Sequence, residues 1–61
     1  MSFWFVEVTE AATGRRVQLS NLYANEAGAD RVREWYRQEY PEADGYTVHK
    51  TWIWWEGGER A

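Results

Sequence analysis

The chain is 61 residues long, contains no Cys and carries a formal net charge of −3. That length allows one domain, and the lack of Cys beside a single His excludes a disulfide framework and a Cys/His structural metal site. The acidic balance argues against a general polyanion binder, whose affinity comes from Lys and Arg meeting phosphates. No apolar run approaches the roughly 20 residues of a membrane span. No basic segment followed by a long apolar run opens the sequence, so no signal peptide is predicted, and a Cys-free chain fits a reducing compartment. The expectation is a soluble, cytoplasmic protein without cofactor or metal.

A domain this small buries only about 60% of its unfolded surface. Large core side chains or association with a second chain can compensate. Five Trp, four Tyr and two Phe make the chain 18% aromatic, and each such side chain can bury roughly 150–250 Å².

Residues 3–9 alternate with a period of two, placing Trp4, Val6 and Val8 on one face and Phe3, Phe5, Glu7 and Thr9 on the other. Apolar residues fill the first face and begin the second, the pattern of a central strand. Glu10–Arg15 reads as a hairpin turn in which Gly14 takes the left-handed conformation. A second strand follows over about Arg15–Ser20. A four-residue loop over Ala11–Gly14 sets its Val17 and Leu19 opposite Val8 and Val6, and its other face is polar, as suits a sheet edge.

Leu22 and Tyr23 are expected to fold beneath a helix that Asn25 caps and Pro41 ends, running to about Tyr40. At 100° per residue, Gly28, Ala29, Val32, Trp35, Tyr36 and Tyr40 form its apolar stripe, with Glu26, Asp30, Arg33, Glu34 and Arg37 opposite. Pro41–Gly45 is a turn, and Tyr46–Trp55 a third strand with Val48, Lys50, Trp52 and Trp54 on one face and Thr47, His49, Thr51, Ile53 and Trp55 on the other. Residues 1–56 make one domain. The Gly-rich, charged end is a frayed tail, flexible over 57–61.

The predicted fold is α+β: a ββαβ chain forming a three-stranded antiparallel sheet of order 2-1-3, with one helix across one face. The first strand is the most apolar and takes the centre. The expected register sets Trp4 against Trp54 and Val6 against Trp52 under the helix, and Phe3 against Trp55 and Phe5 against Ile53 opposite. Parity is fixed by the apolar pattern, while a shift of two residues would preserve it.

One helix covers one sheet face, so Phe3, Phe5, Ile53 and Trp55 are left on an open face, beside a third strand whose edge is unpaired. The leading reading is a small non-catalytic interaction module, a homodimer or an accessory or regulatory protein such as a phage or mobile element encodes, binding through those four residues. A second reading makes the face a stacking platform for single-stranded nucleic acid, with Arg16 nearby; the charge balance disfavours it. In a third, the tail or Leu22 and Tyr23 cover the face. A small enzyme using His49, with Glu7 or Thr9 orienting its ring, is the remaining alternative. It lacks a partner nucleophile, and the ordinary reading of His49 is a polar residue on an open sheet. The carboxylates form no pair of recognisable spacing. The Arg residues of the helix alternate with Asp30 and Glu34 as on a solvated face. No small-molecule substrate is indicated.

Overall fold

The computed structural model describes residues 1–54. It contains strand β1 (Ser2–Glu10), strand β2 (Arg16–Gln18), helix α1 (Glu26–Glu39), a short 3₁₀ turn (Glu42–Asp44) and strand β3 (Tyr46–Trp54). The strands form one antiparallel sheet in the order β2-β1-β3, with α1 on one face. The fold is therefore the α+β arrangement that the sequence predicts. Trp55 and the tail lie outside the described residues.

The β1–β2 hairpin turns through Ala11–Gly14. Gly14 has φ +75°, and its N–H donates to the Glu10 carbonyl at 2.7 Å. Val17 lies opposite Val8, as expected. β2 is shorter than predicted because Ser20 takes over from the strand. Its hydroxyl accepts the Val6 N–H at 2.9 Å, and the N–H groups of Leu19 and Ser20 both donate to the Val6 carbonyl. Beyond this bulge the chain rejoins β1 at Tyr23, which exchanges both backbone hydrogen bonds with Trp4.

Asn25 caps α1 by accepting the Gly28 N–H at 3.1 Å. Tyr23 lies beneath the helix, so close that a Cβ on Gly28 would meet its ring at 3.2 Å. Leu22, expected beside it, is instead exposed. The buried apolar core is small: Val6, Val8, Ala29 and Val48. Trp4, Leu19, Val32, Tyr36, Tyr40 and Tyr46 pack around it with partial exposure.

Two further expectations are corrected. The β1–β3 register is shifted by two residues: Trp4 pairs with Trp52, Val6 with Lys50, Phe3 with Ile53 and Phe5 with Thr51. The 3₁₀ turn explains the shift. Gly45, at φ +90°, closes it and accepts the Ala11 N–H at 2.8 Å, which fixes Tyr46 opposite Glu10. The helix is also rolled away from the predicted stripe. Trp35 is 57% exposed, its ring edge-on to Tyr36 at 4.9 Å between centroids. Asp30 and Arg33, predicted on the solvent side, are partly covered, and the Arg33 Nε is buried without a hydrogen-bond partner. Lys50 accounts for the roll. From opposite Val6 its Nζ reaches Glu26 Oε2 at 2.5 Å and Asp30 Oδ1 at 2.6 Å, drawing that helix flank toward β3.

Candidate functional site: the uncovered sheet face and its aromatic end

No described element lies on the sheet face opposite α1. Its centre is polar. Glu7 stands between His49 on β3 and Gln18 on β2, yet it is only 7% exposed. Its cover comes from neighbouring side chains. Oε1 accepts from Arg16 Nη2 at 2.5 Å and from Thr51 Oγ1 at 3.0 Å, and His49 Nε2 lies 3.8 Å away. Burial pushes the Glu7 carboxyl up, but the hydrogen bonds from Arg16 and Thr51, with the charges of Arg16 and His49, outweigh it and hold the group below its ordinary value.

His49 Nε2 also lies 3.0 Å from Thr9 Oγ1. A hydroxyl, an imidazole and a carboxylate thus adjoin one another, but both contacts fall on the same ring nitrogen. A nucleophilic triad needs the base to meet the hydroxyl through one nitrogen and the carboxylate through the other. The arrangement is a hydrogen-bonded patch in which Glu7 is the acceptor shared by Arg16 and Thr51. Among the described residues no group of three His, Cys, Asp or Glu side chains could hold a metal ion. Among the described residues no helix is long and apolar enough to cross a membrane.

The polar centre gives way to an apolar end. The register sets Phe3 directly opposite Ile53, with Phe5 diagonal to Ile53, and all three are half-buried. The structure therefore brings together three of the residues the sequence nominated. Trp55, the fourth, lies outside the described residues.

Sequence reasoning missed the opposite face of the same end. Trp4 and Trp52 pair there, and Trp54 follows on β3. The helix covers Val6, Val8 and Val48 but not this overhang, so Trp52 is 53% and Trp54 57% exposed. Lys50 bounds the patch, its Nζ 5.4 Å from the centroid of the Trp4 ring. Hydrogen bonds to Asp30 and Glu26, with their charges, hold the Lys50 ammonium above its ordinary pKa, so it stays charged. The spacing of Glu26, Asp30 and Lys50 carried the signal: two acids one helical turn apart face a lone Lys on the helix side of β3.

No family model matches the chain, and neither a curated protein nor a solved structure matches it.

Proposed function

We propose that the protein is a small non-catalytic interaction module that binds another protein chain, its own copy included, through the aromatic end of the sheet. One observation carries this reading: the buried apolar core consists of three Val and one Ala, and none of the described aromatic side chains is buried. Aromatic residues are the largest hydrophobic resource of a small domain. Here much of that surface faces water around Phe3, Phe5, Ile53, Trp52 and Trp54, as at an interface awaiting its partner. A soluble accessory or regulatory protein of the cytoplasm fits this reading.

The alternative of single-stranded nucleic acid needs cations free to meet phosphates. Among the described side chains, Arg16 and Lys50 lie beside the aromatic surfaces and are committed, Arg16 to Glu7 and Lys50 to Glu26 and Asp30. This supports a protein partner over a polyanion.

The test is the double variant Phe5→Ser/Ile53→Ser, measured by light scattering across a dilution series and by capture of partners. Self-association or capture is lost while the far-UV helix signal persists. Unchanged association and capture would remove the face from the reading. For the polyanion alternative, single-stranded oligonucleotides at low salt should leave Trp fluorescence unquenched.

A further inference from the structure

The free edge of β3 has a definite hydrogen-bonding phase. On β1, the even-numbered residues Trp4, Val6 and Glu10 direct their backbone hydrogen-bonding groups to the β2 side, whereas Ala11 donates to Gly45 on the β3 side. In an antiparallel ladder, hydrogen-bonded pairs alternate with non-bonded ones. Phe3–Ile53, Phe5–Thr51, Glu7–His49 and Thr9–Thr47 are therefore the bonded β1–β3 pairs. It follows that Tyr46, Val48, Lys50, Trp52 and Trp54 direct their N–H and C=O groups outward, away from β1. No described element lies along that edge. It is nine residues long, and Pro, the residue that would block it, is absent from it.

We propose, resting on the interaction reading above, that this edge pairs with the same edge of a second copy, antiparallel across a two-fold axis at Thr51. The resulting six-stranded sheet sets Lys50 against Trp52 of the partner subunit and Val48 against the partner's Trp54.

Charge and the placement of both exposed Trp residues, Trp52 and Trp54, select this register. Pairing across a two-fold at Lys50 places two ammonium groups directly opposite, which is unfavourable on a sheet. An inward-pointing Lys on an edge strand guards against such pairing. Moving the axis to Thr51 sets each Lys50 beside an indole instead, an attraction already present within the chain, where Lys50 lies over Trp4. Moving it further, to Trp52, shortens the described overlap to residues 50–54. The Thr51-centred register covers 48–54 and sets both exposed Trp residues of each chain against the partner. Those four indoles, each a little over half exposed, supply about 500 Å² of buried surface. The paired backbones and flanking side chains bring the total toward the roughly 1,200 Å² at the low end of stable interfaces. A dimer of micromolar affinity is expected.

The chain has no Cys, so single-Cys variants report the register directly. At the two-fold, Thr51 and its partner copy form a non-bonded pair with Cα atoms about 4.5 Å apart, within the 4.4–6.8 Å that a disulfide spans. Thr51→Cys therefore cross-links on mild oxidation. His49→Cys and Ile53→Cys, displaced from the axis, do not. Equal cross-linking at all three positions, or a dimer by light scattering with none at Thr51→Cys, overturns the edge pairing while leaving an interface elsewhere on the sheet end intact. A monomer at every concentration also overturns it, and the capture experiment on Phe5→Ser/Ile53→Ser then judges the broader reading separately. A second measurement leaves every side chain in place. In the synthetic 61-residue chain, N-methylation of Trp52 removes an outward N–H without touching the β1 ladder. Dimer affinity falls at least tenfold; unchanged affinity refutes the proposal.

Discussion

Replacing Glu7 with Gln keeps the volume at the centre of the uncovered face but removes its charge. Gln can still accept from Thr51 Oγ1, so the loss at pH 7 is confined to the charge-assisted contact with Arg16 at 2.5 Å. A hydrogen bond to a charged group is worth about 1.5–3 kcal/mol, against about 0.5–1.5 for a neutral one. The Arg16 side chain is 60% exposed and returns to water when its partner is lost. Both considerations place the cost of Glu7→Gln at about 1 kcal/mol at pH 7, a fall of about 4–8 °C in Tm for a domain of this size. The reverse truncation is more damaging. Arg16→Gln leaves a 7% exposed carboxylate without its principal partner, so a loss of about 2 kcal/mol is expected. The pH dependence has a definite sign. The folded pKa of Glu7 is depressed, so its contribution is complete above the unfolded value of about 4.3 and disappears as pH falls through the folded value. Melts followed by circular dichroism at fixed protein concentration should show wild type and Glu7→Gln separated at pH 7 and converging below about pH 4. A gap that persists undiminished at pH 3, or its absence at pH 7, would refute the assignment of the Glu7 carboxylate as a stabilising acceptor.

Two further substitutions probe the frame that holds the site. Val6→Ala empties the one position in β1 with no exposure at all. A cost of about 2–3 kcal/mol is expected from lost burial and residual cavity, readable as a shift in urea midpoint at constant slope. Gly14→Ala meets nothing within 4 Å of the added methyl, so its cost is the left-handed backbone alone, about 1 kcal/mol. A thermal melt in which the Ala variant matches wild type would show that the hairpin turn relaxes to another geometry.

Period-two patterning placed Trp4, Val6 and Val8 under the helix and Phe3, Phe5 and Glu7 on the open face, because a strand side chain has only two directions to choose from. The Asn25 cap and the Gly14 turn were legible for a similar reason: each satisfies a local backbone demand that few residues can meet. The β1–β3 register was not legible from pairing preference. Trp4 meets a Trp in either alignment, and matching Val6 to Trp52 and Phe5 to Ile53 favoured a different one from that which the 3₁₀ turn imposes through Gly45 and Ala11. The roll of α1 was hidden too, since ranking helix positions by hydrophobicity gives no weight to the pull of Lys50 on Glu26 and Asp30. These two corrections create the exposed pair Trp52 and Trp54. With the expected register and stripe, both would have lain beneath the helix, and the candidate site would have ended at the opposite face.

Lys50 joins the internal architecture to the proposed assembly. It occupies a helix-side position of β3 where an apolar residue could have extended the core opposite Val6. Its ammonium is instead neutralised by two acids from the first turns of α1. Because its folded pKa is raised, the contribution of these pairs is fully present below the unfolded value of about 10.4 and is lost as pH rises through the folded one. At neutral pH the ion group thus stays in place and orients α1 over the sheet. The same fixed charge sits at the middle of the free edge, where an uncharged residue would admit several registers of strand addition. A charge held there penalises the register that pairs it with itself and favours one that sets it beside an indole. On this reasoning the residue that costs the domain part of its core gives the edge its selectivity, and the aromatic surface left outside that core becomes available to a partner.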